Sequence, residues 1–142
     1  MRLKLNRCLF VPMMAVASVV SLGVVGQAES LPIGLFTEDQ AARGAEQYDI
    51  HCSACHGPEL VSTDPEAPSL TGFTFNLRLS GRTLADVSEV IHATMPLGGE
   101  GTLEMQTVYD ILAFILAVND YEPASSEMSH DSDLSIEILK VQ

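Results

Sequence analysis

An all-α fold of three to four short helices is predicted for this chain of 142 residues. Two segments open on a threonine cap and continue with apolar residues at helical spacing, and a third is an apolar run at i, i+3, i+4, i+7 near the C-terminal end. Between the first and second of these lies a stretch too rich in Pro, Gly, Ser and Thr for long regular structure. No internal repeat is present, and the length fits one domain.

The N-terminus reads as a targeting segment. Arg2, Lys4 and Arg7 form a positive head, and Leu9 to Val25 is apolar apart from Pro12, Ser18, Ser21 and Gly23. Gly26-Gln27-Ala28 then offers small residues where a signal peptidase reads them, so residues 1–28 are expected to be a signal peptide cut after Ala28. The expected location is the periplasm. The alternative is an uncleaved anchor facing the periplasm, although the 17-residue apolar run is short of the ~20 residues that a span prefers. Cys8 has no lipobox, which argues against a lipoprotein.

After an apolar lead from Leu31 to Phe36, Thr37-Glu38-Asp39-Gln40 reads as a capping box with Thr37 as N-cap and Gln40 at the third helical position. Gly44, Tyr48 and Cys52 follow four apart on one face. Gly44 costs the helix about 1 kcal/mol relative to Ala, a loss that close approach of another helix would offset. The expected partner is the helix from about Thr102 to Val118, where Val108, Ile111, Leu112 and Ile115 form one stripe and Ala113, Phe114 and Ala117 a second. The crossing is expected near Ala113 and Phe114. Residues 57–81 are expected to be mostly loop. Thr83 to Thr94 forms another amphipathic helix, capped by Thr83 with Asp86 at the third position and ended by Met95-Pro96. Residues 119–142 read as an acidic, Ser-rich, flexible tail. The apolar alternation Leu134-x-Ile136-x-Ile138-Leu139 within it could add a strand or dock on a partner.

The first helix leads into Cys52-Ser53-Ala54-Cys55-His56. A C-x-x-C-H run is the attachment signal of a c-type haem: each thiol adds to one vinyl group, and the next histidine lies under the iron as its proximal ligand. A bare C-x-x-C also serves zinc sites and thioredoxin-like redox pairs; the adjoining His56 and the export signal favour haem. One such run means one covalently attached haem. Of the chain's 3 Cys the remaining one is Cys8, so no disulfide framework is expected after cleavage.

Several further motifs join this one: Gly44-x-x-x-Tyr48-x-x-x-Cys52-x-x-Cys55-His56-Gly57, Ala67-Pro68-x-Leu70-x-Gly72, Gly81-Arg82-Thr83-Leu84, Thr94-Met95-Pro96 and Tyr109-x-Ile111-x-Ala113-Phe114-Ile115-Leu116. As a set, over residues 37–118, they resemble a class I c-type cytochrome, most nearly the single-haem cytochromes that partner quinoprotein (PQQ) alcohol dehydrogenases. The resemblance implies a cytochrome c-type fold with short helices wrapped around one haem. It assigns His56 as proximal and Met95 as sixth iron ligand, the Pro68 carbonyl as acceptor for the other His56 nitrogen, and Arg82 as a partner of a haem propionate. Such relatives carry an aromatic residue, often Trp, two places before Gly-Arg-Thr; here Leu79 stands there and the chain has no Trp, so that propionate partner is absent. Met105, Met128 and His92 compete with Met95 for the sixth position. Met105 is expected to pack on the last helix and Met128 to sit in the tail, and His92, one turn before Met95, would give a bis-His iron. His51 and His130 read as surface residues, Tyr48 and Phe114 as core.

Charge bounds the partners. The leader holds three of the seven basic residues and no acidic one, so the remainder carries four against nineteen, a net of −15. That balance argues against nucleic acid and anionic membrane and favours a redox protein with a basic patch, although it also keeps a periplasmic protein soluble. Filled axial positions imply a carrier of one electron between a periplasmic dehydrogenase, of quinoprotein type by resemblance, and an oxidase or other cytochrome, rather than an enzyme. The alternatives are a haem subunit of a larger oxidoreductase complex, and a peroxidase-like or gas-binding haem, for which no distal His/Arg pair stands out.

Overall fold

The computed structural model describes residues 31, 32, 34 and 36–138. The expected signal peptide lies outside them, as does Leu139. In chain order the elements are β1 (Leu31–Pro32), α1 (Glu38–His51), α2 (Ser53–His56), α3 (Gly72–Leu79), α4 (Leu84–Thr94), α5 (Met105–Val118) and β2 (Tyr121–Glu122). The fold is all-α; its strands are a two-residue parallel pairing of Leu31 with Tyr121 and Pro32 with Glu122.

α1 starts where its cap predicts, with the Thr37 hydroxyl accepting from the Gln40 N–H at 3.1 Å. The reciprocal half of the capping box is not made. Gln40 is fully buried, and its side chain turns inward to donate to Asp110 Oδ1 (3.0 Å) and the Met128 carbonyl (2.9 Å) and to accept from the Met128 N–H (2.8 Å). A buried amide side chain demands partners on both its oxygen and its nitrogen, and three long-range ones outcompete a single local one.

The principal packing in the fold is α1 against α5. Gly44 lies on the crossing point. A Cβ added there would overlap the Asp110 carbonyl and stand 3.0 Å from Phe114 Cβ. The crossing is therefore at Asp110 and Phe114, one helical turn before the expected Ala113 on one of its two sides. Tyr48, one turn further along α1, stacks tilted on Phe114 with centroids 5.3 Å apart. α5 is buried along most of its length, as its all-round apolarity predicts. It begins three residues later than expected, because Thr102 closes a turn back onto Gly99, its hydroxyl donating to that carbonyl at 2.6 Å.

Two expectations need correction. The stretch 57–81 holds a helix, α3, that its composition hides. Phe73, Phe75, Leu77 and Leu79 alternate with a period of two, and the cap Thr71 makes no side-chain hydrogen bond. Tertiary contacts hold α3 instead: Phe75 is buried edge-on to Tyr121, and Asn119 accepts from the Gly72 N–H (3.2 Å) while donating to the Leu70 carbonyl (2.9 Å). Second, residues 119–138 are not a loose tail. Tyr121, Met128 and Ile138 are buried in the core. Glu127 pairs with Arg43 at 2.9 Å, and Arg43 bridges on to Asp110 at 3.1 Å. The acidic residues face solvent while the scattered apolar ones anchor, a division that average composition cannot reveal.

Replacing Gly44 with Ala should destabilise the protein by at least about 1–3 kcal/mol, the cost of overpacking a tight site, and with Leu should abolish folding. Thermal unfolding followed by circular dichroism checks this, and a Gly44→Leu protein of unchanged stability would contradict the crossing.

Candidate functional site

The C-terminal end of α1 delivers the cysteine pair. Cys52 ends α1, its N–H donating to the Tyr48 carbonyl at 2.8 Å, and it also caps the single turn α2. Ser53 fastens that junction by donating to the Asp49 carbonyl at 2.7 Å. Cys52 is half-buried and Cys55 exposed, both as free thiols. Burial, and secondly the neighbouring Cys55, push the Cys52 thiol up to about 11, so it stays protonated at neutral pH. A redox-active C-x-x-C depends on the opposite shift. Among the described residues no group of three or more His, Cys, Asp or Glu side chains is arranged to hold a metal ion.

His56 closes α2 and is buried. Its Nδ1 lies 2.8 Å from the Pro68 carbonyl oxygen. A carbonyl can only accept, so Nδ1 carries a proton; in the neutral ring the lone pair then sits on Nε2, which makes no hydrogen bond among the described residues. That is the state in which an imidazole ligates a metal.

The loop holding Pro68 is pinned at several points. Leu70 N–H donates to the Leu60 carbonyl (2.8 Å), Ser62 N–H to Ser69 Oγ (3.0 Å) and Ser62 Oγ to the Cys55 carbonyl (2.8 Å). Tyr48, fully buried, donates its hydroxyl to the Gly57 carbonyl at 2.7 Å. Gly57 has φ +81°, and a side chain there would meet the Val61 carbonyl. The histidine is thus held by a frame built from α1, α2 and residues 57–70.

Met95 sits at the C-cap of α4, half-buried, in extended conformation and with a cis bond to Pro96. Its N–H donates to the Ile91 carbonyl at 2.9 Å, and the following loop folds back so that the Gly101 N–H reaches the His92 carbonyl at 2.9 Å. Arg82 is exposed in the turn between α3 and α4. Its Nε donates to the Arg78 carbonyl at 3.0 Å, and no other hydrogen bond engages its guanidinium among the described residues. Of the competitors, Met128 is fully buried under Gln40 and Met105 is partly buried against the core. His92 keeps a buried Nδ1 without a hydrogen-bond partner.

Sequence reasoning missed the Tyr48 hydroxyl bond to Gly57, although a buried tyrosine four residues before Cys52 must place its hydroxyl somewhere. It also missed that α4, the helix leading to Met95, is capped by the C-terminal segment; the alternation Leu134, Ile136, Ile138 was the available signal.

The family described as "Cytochrome C oxidase, cbb3-type, subunit III" matches residues 39–115, which spans α1 to the last turns of α5. Among solved structures, the sulfane dehydrogenase SoxCD from Paracoccus pantotrophus is similar at 29% identity, with 56% of this chain and 43% of that chain covered and a TM-score of 0.47. The chain thus spans less than half the length of that relative. None of the curated proteins searched matches the chain.

Burial, and secondly the charge of Cys52, push the Tyr48 phenol up from 10.0 to about 12. A raised folded-state value means stability that is complete below the unfolded pKa of about 10 and lost as the pH climbs to about 12. Tyr48→Phe should cost about 0.5–1.5 kcal/mol near neutrality, the value of one hydrogen bond. The gap to wild type should narrow across that alkaline window, as denaturant melts at stepped pH would report.

Proposed function

Since the chain belongs to the family of c-type cytochromes described as cytochrome c oxidase, cbb3-type, subunit III, we propose that it binds one covalent haem c and carries single electrons. The observation that carries this reading is His56, buried on the C-x-x-C-H turn with Nδ1 tied to Pro68 and Nε2 free. Cys52 and Cys55 would hold the group through thioethers, His56 and Met95 would take the two axial positions, and Arg82 would meet a propionate with its unengaged guanidinium nitrogens. When bound, the haem supplies the one-electron couple; the protein supplies its potential, its access and its docking. The Pro68 carbonyl fixes the imidazole plane and makes it a better donor. A thioether opposite it favours Fe(II) and raises the potential. Were His56 and Met95 both to hold the iron, no ligand position would be left for a substrate, which favours electron transfer over peroxidase or gas-binding chemistry.

The electron donor in this reading is a periplasmic dehydrogenase, of the quinoprotein type served by the cytochromes that the sequence resembles, and the acceptor an oxidase or another cytochrome. Acidity supports a basic docking partner. Of the four basic residues outside the leader, Arg43 is consumed by Asp110 and Glu127, which leaves the described surface strongly acidic. A second reading, a haem subunit of a larger oxidoreductase, is favoured by the exposure of Phe73 (80%) and Leu77 (71%), one turn apart on α3. Membrane attachment enters only if the leader stays uncleaved; among the described residues no helix is long and apolar enough to cross a membrane.

The ferric haem protein should show a Met–iron charge-transfer band that Met95→Ala abolishes, with carbon monoxide binding to the ferrous variant but poorly to wild type. A high-spin wild type that takes carbon monoxide readily would sink the carrier reading. The exported protein should begin at Glu29 by N-terminal sequencing; an intact Met1 would favour the anchor. Purification alone, against co-purification with a large partner, separates carrier from subunit.

A further inference from the structure

The first turn of any helix leaves four backbone N–H groups without intrahelical partners. In α4 these are Thr83, Leu84, Ala85 and Asp86. Two are satisfied locally by a complete capping box: Thr83 N–H donates to Asp86 Oδ2 (3.2 Å) and Asp86 N–H to Thr83 Oγ1 (3.1 Å). The other two are satisfied from about fifty residues away along the chain. Leu84 N–H donates to the Ile136 carbonyl and Ala85 N–H to the Leu134 carbonyl, both at 2.9 Å. The same segment then brackets the turn before the helix, with Gly81 N–H donating to the Ile138 carbonyl and Ile138 N–H to the Arg82 carbonyl, both at 2.8 Å. Thr83 and Glu137 pair as an antiparallel bridge, and Ile138 is fully buried.

The helix so fastened is the one whose other end is Met95, joined to it through the N–H to Ile91 bond. A helix of 11 residues transmits a displacement of its first turn to its last, because its backbone bonds leave no soft joint between them. The buried anchor Ile138 and the carbonyls of Leu134 and Ile136 therefore bear on where Met95 can sit.

We infer that residues 134–138 are a strap that positions the Met95 side of the haem site, together with the Arg82 turn. The inference rests on Met95 as the sixth ligand. The strap touches neither iron nor haem; it closes the helix end and the turn from which those residues project. Residues outside the family match, which ends at residue 115, thereby set how firmly the sixth position is held.

The test uses the full-length ferric haem protein and imidazole as a competing ligand, whose entry reports how often Met95 leaves. Ile138→Asp should raise the exchange rate about tenfold or more by loosening the strap, and Ile138→Ala by less. Ile138→Val should match wild type. Arg43→Gln, which cuts the separate ion pairs to Asp110 and Glu127, should lower the melting temperature yet leave the exchange rate unchanged. That contrast separates positioning from general stability. If Ile138→Asp folds, by far-ultraviolet circular dichroism, and exchanges at the wild-type rate, the strap is overturned; if it does not fold, Ile138→Ala decides in the same way. A wild type without a Met–iron band would instead remove the ligand assignment and the strap's role with it.

Discussion

The rest of the structure hangs on one backbone contact, that of α1 at Gly44 with α5 at Asp110. No side chain larger than hydrogen fits there, so the helices approach as closely as their backbones allow. The contact fixes the direction in which α1 runs, and α1 ends on Cys52. It also sets the floor under Tyr48, whose ring lies on Phe114 and whose hydroxyl holds Gly57, the residue directly after His56. Glycine's intrinsic cost in a helix, about 1 kcal/mol, is small beside what this approach gives in dispersion and in registration of the site.

Next to that contact lies a buried polar knot. Asp110 accepts from Gln40, Arg43 and Gln106, and Gln40 in turn holds both backbone groups of Met128. A buried carboxylate is tolerable only when its lone pairs are met, and here three side chains from two helices meet them. The helix–helix crossing and the anchoring of the chain at Met128 are thus one structure. Glu127 extends it to the surface, where the Arg43 guanidinium holds its carboxyl below the usual range.

The sequence was most legible where one local rule decides the outcome. Thr37 and Thr83 mark their helix starts because a threonine hydroxyl at that place meets an orphan N–H whatever the rest of the chain does. Pro96 ends α4 because the residue before proline avoids the α region. The His56–Pro68 contact came from a family pattern that no local rule contains. What stayed hidden shares a physical cause: the partners are distant in sequence. Gln40 satisfies the pattern of a capping box yet serves Met128; α3 forms because Gly72 and Phe75 find partners beyond α5, in Asn119 and Tyr121; and residues 134–138 look like part of an acidic tail until their carbonyls are seen at the N-terminus of α4. Composition averages over residues, while packing selects a few of them.

The two sides of the candidate site are supported in different ways. Around His56 the contacts are short in sequence: Tyr48 to Gly57, Ser62 to Cys55, Pro68 to His56. Such a frame adds little loop-closure entropy once α1 is seated on α5. Around Met95 the support is long-range, entering through an α4 whose first turn is completed by Ile136 and Leu134. The Met95 side can therefore assemble only after the chain has returned from α5. In the proposed electron carrier, the histidine side would keep the haem attached and oriented, while the methionine side would tune its potential.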